Sequence, residues 1–69
     1  MPIITVNLLV GRDAARKRAL IREITDAAVR TLDVPPASVR VILTEVPPEH
    51  WGIGGESKAE QIARSGEKG

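Results

Sequence analysis

A βαβ unit, α/β (α+β) in class, is the fold this sequence predicts. Three observations predict it: an N-terminal apolar run with a period of two, a Gly- and Pro-free segment with helical periodicity, and a second, nearly continuous β-branched run after a Pro-Pro break. Strand, helix and strand follow one another within about 45 residues, the order of two parallel strands joined by a right-handed crossover.

The first strand is Ile3-Ile4-Thr5-Val6-Asn7-Leu8-Leu9-Val10, whose even positions are all apolar while the odd ones include Thr5 and Asn7. Such alternation indicates one well-buried face, and Gly11 ends the run. Asp13 stands where an N-cap belongs, and Leu20, Ile21, Ile24, Ala27, Ala28 and Leu32 recur at helical spacing, which predicts one helix over residues 14–32. Asp26 and Arg30 add a favourable i,i+4 pair. Asp33-Val34-Pro35-Pro36 stops the helix, because proline lacks an N–H and restrains the residue before it. Val39-Arg40-Val41-Ile42-Leu43-Thr44-Glu45-Val46 is the second strand, and its near-continuous apolar character suits a strand covered on both faces. With only two strands the sheet has open edges, so pairing across subunits is expected to complete it.

Pro47-Pro48-Glu49-His50 predicts a rigid connection, and Trp51-Gly52-Ile53-Gly54-Gly55 a Gly-rich turn or small hairpin. No Lys-Ser/Thr pair follows these glycines and no helix clearly opens on them, so neither the phosphate-loop nor the dinucleotide pattern is met. Glu56 to Arg64 reads as a short terminal helix. The organisation is one domain over residues 1–64 with a polar tail over 65–69.

A chain of 69 residues buries only about 60% of its unfolded surface and is marginal alone. There is no Cys to cross-link it, and the single His is too little for a structural metal site. Self-association is the remaining source of stability, and 42% hydrophobic residues with one aromatic, Trp51, supply aliphatic surface for it. No stretch approaches the ~20 apolar residues that span a bilayer, and the N-terminus lacks the basic flank of an export signal. The expectation is a soluble cytoplasmic protein without a membrane partner. The net charge of +1 conceals a basic first half, with Arg12, Arg16, Lys17, Arg18, Arg22, Arg30 and Arg40, suited to anionic partners.

The start, Met1-Pro2, carries the most chemistry. Removal of Met1 leaves proline with a secondary amine, whereas with Met1 attached the same nitrogen is an amide without useful basicity. A free α-amino group titrates near ~8, and burial beside cations lowers that toward neutrality, where a general base works best. Arg12 leaves the first strand, and Arg40 sits within an otherwise apolar one; Arg suits bidentate recognition of carboxylates and cannot shed its charge. Trp51 supplies an apolar wall. Taken singly, each has a plainer reading: Met-Pro starts are common, a strand Arg is more often half of an ion pair, a lone Trp is more often packing, and His50 is an exposed loop residue. Together they fit one chemistry, a base facing a carbon acid whose enolate charge is held by guanidinium groups, which is keto–enol tautomerisation without a cofactor or metal.

The chain resembles the 4-oxalocrotonate tautomerase family along nearly its full length. The resemblance rests on the Pro2 start, Gly11-Arg12, Leu20-Ile21-Arg22-Glu23, Ser38-Val39-Arg40-Val41-Ile42 with Thr44-Glu45, and His50-Trp51-Gly52-Ile53-Gly54-Gly55-Glu56. It implies that Pro2 is the general base moving a proton in a 2-hydroxydienoate such as 2-hydroxymuconate to give the 2-oxo-enoate. It further implies that Arg40 grips the carboxylate and oxygen at the keto end, that Arg12 binds the distal carboxylate of a diacid, that the Leu9 main chain helps orient substrate, and that Trp51 lies in the apolar wall. A homohexamer, a trimer of βαβ dimers whose sites draw arginines from different subunits, is implied as well. Trp51 stands where the family usually has Phe, which bears on substrate choice. Leu9 stands near the place of an additional Arg in relatives that dehalogenate haloacrylates, which argues against that chemistry.

Two alternatives to a 2-hydroxymuconate tautomerase in aromatic catabolism are a non-catalytic subunit of a mixed hexamer and a tautomerase of another small 2-oxo acid, such as an aryl pyruvate. Nucleic-acid binding through the basic helix has little support, since one Trp and near-balanced charge do not make a basic, aromatic-bearing surface.

Overall fold

The computed structural model describes residues 1–66. In order along the chain they form β1 (Ile3–Leu9), α1 (Ala14–Leu32), β2 (Arg40–Val46), β3 (Gly52–Ile53), β4 (Glu56–Ser57) and α2 (Lys58–Ser65), with single 3-10 turns at Pro36–Ser38 and Pro48–His50. β1 pairs with β2, and β3 with β4, in separate two-stranded sheets. The Arg40 N–H donates to the Pro2 carbonyl at 3.0 Å and the Val10 N–H to the Val46 carbonyl at 3.2 Å. Starts are joined to starts and ends to ends, so β1 and β2 run parallel with α1 as their crossover, the expected βαβ unit.

The chain divides into two compact units. The first holds Met1–Val6 and Arg12–Thr44, the second Asn7–Gly11 and the chain from Glu45 onward. In the first, α1 starts at Asp13, whose carboxylate accepts from the Arg16 N–H at 2.8 Å, the N-cap bond that satisfies one orphan donor of the first turn. The helix ends at Asp33, held at φ 55° and ψ 54° with its N–H on the Val29 carbonyl. This left-handed closure is one that glycine usually supplies. Thr25 and Thr31 direct their hydroxyls back to the carbonyls of Ile21 and Ala27, which satisfies the hydroxyls within the helix at a slight cost to it.

Burial follows the predicted periods, with three departures. In β1, Ile4, Val6 and Leu8 are half-buried while Ile3, Thr5 and Asn7 are exposed, but the alternation breaks at the end of the run, where Leu9 is buried and Val10 exposed. In β2, Val41 and Leu43 are half-buried, but Arg40, Ile42 and Thr44 are exposed. The single chain therefore covers one sheet face, not both; Ile3 and Ile42, 65% and 50% exposed, stay open because the crossover supplies one layer only. On α1, Ala28 is buried and Leu20, Ile24 and Ala27 are half-buried, whereas Ile21 and Leu32 are exposed. At 100° per residue these two lie on a flank 60–80° from Ile24, so the apolar stripe is wider than the face one chain covers. Among the described residues only Leu9, Ala28 and Val39 are buried.

The second unit begins with the paired ends of β1 and β2 and continues into the hairpin. Gly52 pairs with Ser57 and Ile53 with Glu56 in antiparallel register, leaving a two-residue loop, Gly54-Gly55, with φ of 61° and 88°. Positive φ at both central positions is the primed turn that matches strand twist, which accounts for the adjacent glycines. The pairing draws Glu56 and Ser57 into β4, so the terminal helix starts at Lys58, two residues after the expected start at Glu56. Ser57 caps it, accepting from the Glu60 N–H at 3.2 Å; Ser57-x-x-Glu60 has the spacing of a capping box. Ser65 is the last helical residue and Gly66 closes α2 in the left-handed region. Residues 67–69 of the expected tail lie outside the described residues.

Candidate active site

Pro2 immediately precedes β1, half-buried, with Met1 75% exposed ahead of it. Its carbonyl accepts the Arg40 N–H, which fixes residue 2 beside the first residue of β2. The structure thus brings Pro2 and Arg40 together through their main chains. The Arg40 side chain turns back toward its own approach: Nη1 donates to the Ala37 carbonyl at 2.7 Å. That carbonyl belongs to the 3-10 turn after Pro35, which is pinned by the Ser38 N–H and Ser38 Oγ, both on the Pro35 carbonyl at 3.0 and 2.8 Å.

Arg12 is exposed and lies between Gly11, at φ 128°, and the N-cap Asp13. The whole seven-residue length of β1 separates it from Pro2. At ~3.3 Å per residue a strand of that length spans roughly 20 Å, far more than an extended Arg side chain reaches. Pro2 and Arg12 of one chain stand at opposite ends of the strand.

In the second unit, Leu9 is buried at the end of β1. Trp51 is half-buried; its N–H closes the 3-10 turn on the Pro48 carbonyl, and its carbonyl accepts from the Lys58 N–H at 2.7 Å, so the Trp51 main chain ties the turn to the start of α2. His50, the last residue of that turn, is exposed. Glu56 forms an ion pair with Arg64 that joins β4 to α2. The hydrogen bond from Arg64, together with its charge, holds the Glu56 carboxyl below the usual glutamate range against an opposing desolvation, while Glu56 raises Arg64. This pair fastens the C-terminal helix.

Among the described residues no group of three or more His, Cys, Asp or Glu side chains is placed to hold a metal ion, and no helix is long and apolar enough to cross a membrane. The contact of Arg40 with the Ala37 carbonyl is not announced by the sequence; Pro35-Pro36 reads as a helix stop, and only Ser38 two residues before Arg40 hints at a structured turn.

Comparison with known proteins places the chain in a family. Residues 2–61 match the family described as tautomerase enzyme. The 2-hydroxymuconate tautomerase of Stutzerimonas stutzeri is 53% identical over 64 residues, 93% of this chain and 100% of that protein. Among solved structures, a 4-oxalocrotonate tautomerase isozyme from Methylibium petroleiphilum superposes with a TM-score of 0.91 at 44% identity, covering 93% of this chain and 100% of that one. The heterohexamer 4-oxalocrotonate tautomerase from Chloroflexus aurantiacus gives a TM-score of 0.83 at 45% identity, covering 87% and 97%. With the βαβ fold shared and identity near one half over almost the whole length, the chain belongs to the 4-oxalocrotonate tautomerase family and is a tautomerase, an isomerase.

Proposed function

We propose that the chain ketonises a small 2-hydroxydienoate, 2-hydroxymuconate being the leading substrate, with the amine of Pro2, freed by removal of Met1, as its base. The observation that carries this reading is the full-length similarity to a 2-hydroxymuconate tautomerase at 53% identity. The amine takes the proton of the 2-hydroxyl group and returns it to a carbon of the conjugated chain, leaving a carbonyl at C2, so no proton is gained or lost and no cofactor takes part. Arg40 holds the adjacent carboxylate and draws electron density onto the oxygen where charge develops. Arg12 holds the distal carboxylate in a charge-assisted fork. The Leu9 main chain orients the substrate and Trp51 forms the apolar wall that keeps the amine neutral near pH 7.

The length of β1 shapes this proposal. Because Pro2 and Arg12 of one chain lie at opposite ends of a seven-residue strand, a site that uses both takes Arg12 from a second copy. The exposed Ile3, Ile42, Ile21 and Leu32 provide apolar surface for such copies to bury, and a homohexamer is the assembly we propose, working in the cytoplasm on products of aromatic catabolism. A mixed hexamer is the second reading, favoured by the heterohexameric relative from C. aurantiacus.

Spectrophotometric assay of 2-hydroxymuconate ketonisation with this chain alone, beside an aryl pyruvate, tests both. Rapid ketonisation by an oligomer of one chain is expected. Preference for the aryl pyruvate overturns the substrate, and activity only after adding a second homologous chain establishes the mixed assembly.

A further inference from the structure

We propose that the 3-10 turn Pro36–Ser38 is a positioning device that holds the Arg40 guanidinium in its working orientation through the Ala37 carbonyl. This rests on the reading of Arg40 as a substrate-binding residue. An exposed Arg ordinarily samples many rotamers, and water satisfies its donors as well as protein does. Arg40 is exposed, yet its Nη1 donates at 2.7 Å to a main-chain carbonyl three residues back. One of the five guanidinium donors is used in this way, and the Nε–Nη2 edge remains for a two-point grip on a carboxylate.

The acceptor is itself fixed. Pro35 and Pro36 have φ locked by their rings, Pro36 at the first position of the turn. The Ser38 N–H and Oγ both close on the Pro35 carbonyl, and the Val39 N–H closes on the Pro36 carbonyl at 3.1 Å. The turn's own bonds therefore use the carbonyls of Pro35 and Pro36, while that of Ala37 accepts the guanidinium. At the other end the Arg40 main chain is anchored on the Pro2 carbonyl at 3.0 Å. Root and tip of the side chain are thus both tied, and an arginine preset in this way loses little freedom when it binds. Ser38 and Pro36 are positioning residues here; neither needs to touch the substrate.

The test is a double-mutant cycle on 2-hydroxymuconate ketonisation. Ser38→Ala removes the hydroxyl bond and Pro36→Gly frees φ; each is expected to lower kcat/KM about 3- to 10-fold with intact secondary structure and assembly, while Ser38→Thr, which keeps the hydroxyl, restores it. In an Arg40→Ala background both effects are expected to vanish, because nothing is left to position. A loss of the same factor with and without Arg40 overturns the proposal, as does a crippled Arg40→Ala enzyme beside Ser38→Ala and Pro36→Gly enzymes of normal kcat/KM. Should Arg40→Ala itself leave kcat/KM unchanged, the substrate-binding reading of Arg40 falls and takes this proposal with it. If Pro36→Gly unfolds, the Ser38→Ala and Ser38→Thr pair decides the question alone, by the same comparison with and without Arg40.

Discussion

Replacing Asp33 by Gly should stabilise the protein, by an amount that follows from the end of α1. Asp33 is the one non-glycine residue among the described residues with positive φ, at 55°, and its carboxylate sits at the C-terminal end of a 19-residue helix. A left-handed L-residue costs roughly 1–2 kcal/mol, toward the lower end for Asp. Glycine removes that cost but loses about 0.5–1 kcal/mol through its freer unfolded chain. Taking a negative charge from the helix C-terminus returns about 0.3–1 kcal/mol. The net is a gain of about 1 kcal/mol, which for a domain of this size raises Tm by roughly 4–8 °C. Asp33→Asn separates the contributions: it keeps a side chain that tolerates the left-handed region and removes only the charge, so it should give less than Gly. Melting followed by circular dichroism, at equal chain concentration because assembly makes Tm concentration-dependent, is the assay. An unchanged or lowered Tm for Asp33→Gly would refute the reasoning, because strain and charge at this cap would then cost no more than the unfolded-chain freedom that glycine adds; an equal gain from Asn would assign the net effect to charge.

Other consequences are equally concrete. Asp13→Ala removes the acceptor for the Arg16 N–H and should cost about 1 kcal/mol of stability, read as a lower Tm. Glu56 is held below the usual glutamate range in the folded chain, so its contribution is present above that range and is lost as pH falls through it to the lowered folded value; acid titration of α2 amide exchange should show this loosening, and Arg64→Ala should remove the dependence. Arg12→Ala should raise KM about 10- to 100-fold with kcat nearly kept, because a distal carboxylate is gripped alike in ground and transition states. Arg40→Ala should instead lower kcat by about 100-fold, and the opposite split in steady-state kinetics would reverse the two assignments.

Much of this fold is legible in the sequence because its signals are periodic. The alternation in Ile4-Thr5-Val6-Asn7-Leu8 and the helical recurrence from Leu20 to Ala28 define elements that the structure reproduces, and Asp13 marks the start of α1. Glu56 goes into β4 because the Gly54-Gly55 turn pairs it with Ile53, a consequence of turn geometry that side-chain spacing does not encode. The exposure of Ile21, Leu32 and Ile42 is hidden for a related reason: periodicity tells which residues seek burial, not whether one chain can bury them. For the candidate site, residue identities are legible through family resemblance, but the arrangement is not. The tether of Arg40 to the Ala37 carbonyl depends on the direction of a main-chain group, which leaves almost no trace in composition.

All of the proposed chemistry depends on the amine of Pro2 being the working base. Its most direct test is the rate of 2-hydroxymuconate ketonisation by two preparations of the same chain, one shown by intact mass to have lost Met1 and one with Pro2 still acylated by a preceding residue, both matched for assembly and secondary structure. Turnover is expected in the first and a loss of at least about 100-fold in the second, since the lone pair of an amide nitrogen is delocalised into the carbonyl and is not basic enough to take the proton. Equal turnover in both preparations would contradict this and move the base to another residue.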